Sequence, residues 1–532
     1  MPHAQTGLVS LVLHCHLPFV RHPEHDYFLE ENWYYEALFE TYLPLLEVFE
    51  QLEKKKVLFQ LTLSVSPSLL SMCLDPLLQK RAVRYVDQLL ALVGKEKDRI
   101  GQDAAFGPVV QMYEDKLSRY RDLFVKQYHC NVAEGFKHFQ DSGHLELITC
   151  AATHGFLPLL RMHESAVRIQ IETALRSHAV FFGKEPAGFW LPECAYEPGL
   201  DEILKDYRFQ FTFLETHGLL QATPHPRYGT FAPVVCPSGV AVFGRDLESS
   251  KQVWSSKEGY PGDPVYREFY RDLGYDMSAD YLHPYLQPEG FPRFTGLKYY
   301  RVTGSTDQKE SYQQAAALAK VKEHAADFLS RRRHEAAEVS AGMERPPLMT
   351  CLYDAELFGH WWYEGPDFIQ QLFEQNAGQE ETLKFVTPSQ YLRIFPQNQM
   401  TQPVFSSWGV GGYSEFWLNQ TNDWIYPLLN NACDEMIRLA GLDRVKELEI
   451  RALNQAVREL LLAQASDWAF MMKVGHYRDY AEKRVKIHLG RFYQLADSLK
   501  TNRISEVFLS DLEEKDNLFP QVDYRLFKRC PR

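Results

Sequence analysis

The sequence predicts an α/β protein built on a parallel sheet or barrel with helical additions. Three observations predict it. Short β-rich runs alternate with amphipathic stretches through the first three quarters of the chain. Ionisable residues recur where those runs end, and beyond about Gln402 long helical patterns take over.

Taken in order, residues 8–13, 56–63, 145–151, 188–191, 209–214, 240–243 and 348–353 read as strands. His14 and His16 follow the first, and Glu146 and His154 bracket the third. Glu193 follows the fourth, Glu215 and His217 the fifth, Arg245 and Asp246 the sixth, and Asp354 and Glu356 the last. In a β/α barrel the active site lies at the C-terminal strand ends, so this recurrence is the expected trace of catalysis. Between Asp75 and Asp141 the pattern turns helical, an insertion after an early strand. Residues 304–344 carry another helix, closed by Arg345-Pro346-Pro347. A helical C-terminal domain is expected after the glycine-rich SSWGVGGYSEFW loop, from RVKELEIRALNQAVRELLLAQASDWAFMM onwards.

A length of 532 residues calls for two or three domains. With 57 Lys and Arg against 70 Asp and Glu, the net charge is −13, which disfavours nucleic acid or an anionic membrane as partner. The start of the chain has neither a basic n-region nor a small-residue cleavage site, and no stretch reaches the roughly 20 apolar residues of a membrane span. Nine scattered cysteines without a CxxC pair suit a reducing cytoplasm. The 9 Trp, 29 Tyr and 34 Phe gather in runs such as Trp361-Trp362-Tyr363 and Trp408 through Trp424. Aromatic faces suit the C–H faces of sugar rings; ordinary core packing is the alternative for any one of them.

Two strand-end carboxylates flanked by aromatics, Glu193 in GFWLPECAY and Asp354 in LYDAELFGHWW, are what glycosyl transfer needs. One attacks the anomeric carbon and the other protonates the leaving oxygen, about 5–5.5 Å apart in a retaining enzyme. An unrelated pair of buried carboxylates fits the spacing equally well. His14-Cys15-His16 places two histidines on one side of a strand end. Metal-dependent barrel hydrolases ligate through such an H-x-H, with His154, His217 and Asp354 as candidate further ligands. Neutral histidines binding sugar hydroxyls or orienting a carboxylate are a second reading, and structural histidines satisfied at the barrel rim a third.

The ordered segments LHCHLPF, HLELITCAATHGFLPLL, GFWLPECAY, LYDAELFGHWW and LLLAQASDWAF resemble the five sequence regions of glycoside hydrolase family 57, most nearly its α-1,4-glucan branching enzymes. The resemblance implies an incomplete (β/α)7 TIM-like barrel with a helical insertion and a helical C-terminal domain. On that frame the barrel takes residues 1–75 and 142–401, the insertion 76–141 and the C-terminal domain 402–532. It implies Glu193 as nucleophile and Asp354 as acid/base, working by retention with no metal and no cofactor. His14, His16 and His154 match the histidines around the −1 sugar, and Asp467 and Trp468 match the fifth region, which reads SDWAF where SDWPF is expected. Trp408 and Trp417 resemble cleft-lining tryptophans of the branching subgroup. The segment around Trp254 and Tyr260 resembles its cleft-covering loop, expected as a lid over 252–263. Trp190, Arg245 and Trp361 complete the expected substrate-binding set.

These catalytic residues serve several reactions in the family. A transferase must let a sugar hydroxyl, in place of water, reach the intermediate, so the lid and aromatic entrance favour branching over an α-amylase or a 4-α-glucanotransferase. The partner expected is an α-glucan chain; a monomer and a dimer fit the sequence equally. From another class, a metal-dependent barrel hydrolase acting on C–N or ester bonds would hold zinc at His14 and His16.

Overall fold

The computed structural model describes residues 7–255, 258–285, 294–442 and 446–528. Nine strands are present among them: β1 Gly7–Cys15, β2 Leu61–Val65, β3 Leu145–Cys150, β4 Phe189–Trp190, β5 Phe211–Leu214, β6 Val234–Val235, β7 Ala241–Gly244, β8 Leu348–Asp354 and β9 Leu383–Phe385. One sheet runs β4-β3-β2-β1-β8, all parallel, with β9 beside the start of β1. The second runs β5-β7-β6, with β6 antiparallel at its edge. A parallel bridge from Gly188 to Phe211 joins β4 to β5. Across the remaining gap the Asp246 amide donates to the Thr350 carbonyl at 2.8 Å. The seven strands β1, β2, β3, β4, β5, β7 and β8 thus curl into an incomplete barrel.

Period-two alternation sorts each strand into two faces. Leu8, Val12, Ile148, Cys150, Trp190, Phe211, Phe213, Phe243, Leu348 and Leu352 form one cluster, the barrel interior. Val9, Leu11, Leu13 and Cys15 join the larger core against the helices. By the same parity His14 and His16 share the interior face with Val12. Strand β2 begins at Leu61 and not at Lys56, because Lys56 takes a left-handed backbone (φ 58°) and the chain joins the sheet only where Leu61 pairs with Leu145 and Thr62 with Val12.

Helices Pro76–Ile100, Gly107–Asp122 and Val132–Asp141 lie between β2 and β3. The first is capped by the Asp75 side chain on the Leu78 amide, has Pro76 where no N–H is needed, and ends at Gly101 with φ 62°. Gln314–Ser340 precedes β8, and Ile425–Gly441, Glu447–Ala463, Ser466–Val474, Arg478–Lys500 and Glu506–Lys515 form the helical C-terminal region. The predicted helical pattern starting at Arg444 begins just outside the described residues there. No helix among the described residues is long and apolar enough to cross a membrane. The eight described cysteines are all free thiols, and Cys530 lies outside the described residues.

Candidate active site

The strand register assembles the site. His14 pairs with Ser64 across β1 and β2 and with Asp354 across β1 and β8, so these residues reach the C-terminal rim at one level. His14 Nδ1 lies 3.0 Å from Ser64 Oγ, and His16 Nδ1 2.9 Å from Ser66 Oγ. The two serines repeat the i, i+2 spacing of the two histidines. His154, which follows β3, puts Nδ1 2.9 Å from Ser466 Oγ and Nε2 3.0 Å from His14 Nε2. Burial, with His16 beside them, holds both His14 and His154 well below the usual imidazole range, so both are neutral and one N–H bridges the two rings.

Beyond β4 the chain turns through Pro192–Cys194, with Glu193 at φ 60°, ψ 24° and Cys194 at φ 47°. His154 is also left-handed, at φ 57°. A residue with a Cβ pays about 1–2 kcal/mol for this conformation, and such strain gathers at functional sites. It is held here by the Trp408 amide donating to the Glu193 carbonyl at 2.7 Å. Glu193 Oε1 is 3.8 Å from His154 Nδ1. Burial pushes the Glu193 carboxyl well up, and the charges of Asp354 and Asp467 add to this. Burial also raises Asp354, to about 6, against the pull of Arg245 and His16. The pair therefore keeps a proton at a pH where free carboxyls would have none.

The C-terminal helices complete the rim. The Asp467 carboxylate sits 3.2 Å from His16 Nε2 through both oxygens, and the Ser466 amide donates to the His154 carbonyl. Arg245, beyond β7, donates to Glu215 at 2.9 Å and to Ser250 at 2.8 Å, with its guanidinium 4.8 Å from the Trp408 ring centre. Trp254 (37% exposed) and Trp361 (51% exposed) line a groove of about 1010 Å³ with Phe269 and Tyr270. Phe269 stacks on Trp361 at 4.5 Å.

Four expected sugar-binding aromatics are buried. Trp190 is fully buried and stacks on His14 at 4.6 Å, an interior support for that ring. Trp417, 2% exposed, packs on Phe156, and Trp468, 1% exposed, donates its indole N–H to the Leu462 carbonyl. Tyr260, expected at a lid tip, faces inward: it stacks on His324 at 4.4 Å and donates to Asp327 at 2.7 Å. Apolar area drives all four into the core, and residue type alone does not reveal this. Ser256 and Lys257 of the expected lid lie outside the described residues.

As for metal ligation, His217 does not join the histidine group; its Nε2 lies 3.0 Å from the Gly412 carbonyl oxygen. His16, His154 and Asp467 do converge closely enough to hold an ion, as do His14, Cys150 and His154, and in the C-terminal region Glu459, His488 and Asp516. Two rim residues outside the sequence-derived set are Glu356 and Tyr42: the Tyr42 hydroxyl and the His16 amide both donate to Glu356 Oε1. Glu356 was visible as a strand-end carboxyl; Tyr42 carried no signal.

Residues 10–404 match the profile of Glycosyl hydrolase family 57. The chain belongs to that family. Residues 428–527 of this family 57 protein match a second profile, described as 1,4-alpha-glucan branching enzyme, C-terminal. A 1,4-alpha-glucan branching enzyme of Thermococcus kodakarensis is 32% identical, over 97% of this chain and 78% of its own length. Among solved structures, the novel alpha-amylase AmyC of Thermotoga maritima is 40% identical, with a TM-score of 0.92 over 99% of this chain and 100% of its own. The GH57-type branching enzyme of Pyrococcus horikoshii is 30% identical, with a TM-score of 0.89 over 99% and 98%.

Proposed function

We propose that this protein is a 1,4-α-glucan branching enzyme acting by retention. Glu193, as carboxylate, bonds to C1 of the −1 glucose while Asp354 gives its proton to the departing O4. The products of this step are a glycosyl ester and a glucan with a free 4-hydroxyl. Asp354, now a carboxylate, then takes the proton from an acceptor 6-hydroxyl as that oxygen bonds to C1, and the ester to Glu193 breaks. His14, His16 and His154 hold sugar hydroxyls and steady Glu193 without a metal. Arg245 and Trp408 border the cleft, and Trp254 and Trp361 offer stacking faces for a longer chain.

The observation that carries the reading is Asp467 at His16. The region that matches the branching-enzyme C-terminal profile also brings a carboxyl group to the rim, which supports a part for that region in the site. The 40% likeness to a structure described as an alpha-amylase favours a second reading, hydrolysis with the same residues. The net charge of −13 and the free thiols support a cytoplasmic enzyme of storage-glucan synthesis with linear α-glucan as partner.

Branch-point analysis of amylose treated with the protein tests the choice. New α-1,6 links with falling iodine staining and few new reducing ends support branching; reducing ends without branches support the amylase. Glu193→Gln should lower turnover by at least about 1000-fold, and Asp354→Asn should spare activated glycosides in the first step. A tenth of wild-type activity in Glu193→Gln would remove that residue from the nucleophile role.

A further inference from the structure

The helix that follows the first loop is not regular. Its segments Asn32–Ala37 and Leu43–Lys54 are joined by a π-helical turn, Leu38–Tyr42, in which the Leu43 amide reaches back to the Leu38 carbonyl. Pro44 gives a covalent reason: it has no N–H to offer the carbonyl of Glu40, four residues before it. Such turns are single, costly irregularities found often at functional sites.

This turn meets the loop after β8, which starts from Asp354, at three points. The Tyr42 hydroxyl donates to Glu356 Oε1, the oxygen that also accepts the His16 amide at 3.1 Å. The Glu40 carboxylate lies 2.7 Å from His360 Nδ1. Burial works against a charge on Glu40, but His360 together with the charges of Lys298 and Arg267 outweighs it, and the carboxyl sits below its usual range. Between these pins, Gly359 (φ 123°) packs against the Glu40 backbone so closely that a Cβ would come within 1.8 Å of the carbonyl oxygen. Any other residue there would push the turn and the loop apart.

We propose that Tyr42 and Glu356 are positioning residues for Asp354, with the π-turn as the clamp that fixes the loop after β8 against His16. Glu356 ties three segments through one oxygen: the helix, the end of β1, and its own loop two residues beyond Asp354. Burial and the charge of Asp354 push its carboxyl up to about 8, so at neutral pH it adds no second negative charge beside Asp354. The clamp also maintains the burial that raises the Asp354 carboxyl to about 6.

The inference rests on the acid/base role given to Asp354 above. Tyr42→Phe removes one oxygen and keeps the ring, which packs edge-on to Phe136 at 6.2 Å. Its kcat on maltooligosaccharides, read as whichever of transfer or hydrolysis the wild type performs, should fall roughly 10–100-fold, with little change in KM. The alkaline limb should move to lower pH, since a loosened loop lets water reach Asp354. Glu356→Ala should behave alike, and Glu356→Gln, which keeps an acceptor for Tyr42 and His16, should restore much of the loss. Melting temperatures for each variant separate this from general unfolding. Wild-type kcat and pH limb in both Tyr42→Phe and Glu356→Ala would overturn the proposal, as would a Glu356→Gln no better than Glu356→Ala. A fully active Asp354→Asn would instead sink the acid/base role beneath it.

Discussion

Asp467→Asn exchanges one carboxylate oxygen for an amide and leaves the shape of the rim nearly unchanged. In the wild type both Asp467 oxygens lie 3.2 Å from His16 Nε2, on a side chain only 15% exposed. A hydrogen bond to a charged group is worth about 1.5–3 kcal/mol, and one between neutral groups about 0.5–1.5. The substitution should therefore cost roughly 1–1.5 kcal/mol of transition-state stabilisation, close to a tenfold loss in kcat/KM if His16 bears on the reacting sugar. A second effect has the opposite sign on titration. The Asp467 charge is one of the influences that raise Glu193, so removing it lets Glu193 ionise at lower pH. Because the nucleophile must be ionised, the acid limb of the pH profile should move to lower pH even as the maximum falls. Initial rates on amylose from pH 4 to 8, with melting temperatures measured alongside, give both readings. An acid limb that stays in place with kcat/KM within twofold of wild type would refute the view that the C-terminal region contributes charge to the site.

Other outcomes follow from the same geometry. Chelation with EDTA should leave activity unchanged, with the His16, His154 and Asp467 group acting as hydrogen-bonding partners; activity lost on chelation and restored by zinc would favour the metal-hydrolase reading. Tyr260→Ala should lower stability by about 3–5 kcal/mol and depress transfer and hydrolysis together, since the ring is packed against His324 and Phe368. Trp254→Ala should leave the melting temperature within a few degrees and weaken use of long chains more than short ones, because its exposed ring lines the groove. Equal effects on both chain lengths would count against that role.

Much of the barrel was legible because buried parallel strands leave continuous apolar runs. Strands β6 and β9, with two and three residues, are too short to show a period, and β2 was placed early because 57–60 look like strand although they run outside the sheet. Glu193, Asp354 and the three histidines stood out as ionisable groups where apolar runs end. Their partners did not. Ser64 and Ser66 offered a usable signal, repeating the H-x-H spacing on the neighbouring strand, whereas Tyr42 reaches Glu356 across 314 positions and nothing local announces it. Tryptophans were the weakest guide, since the same side chain suits a sugar platform and a packed interior: Trp361 is half exposed and Trp190 wholly covered.

The link between His16 and Asp467 joins residues 451 positions apart. During synthesis the barrel strands emerge long before the helix that carries Asp467, so a growing chain can collapse around its interior while its rim still lacks one wall. Activity should appear late and abruptly, when the last quarter of the polypeptide docks. A ribosome stalled before that point would hold a folded but silent barrel, unable to cut glucan that it could not yet pass on.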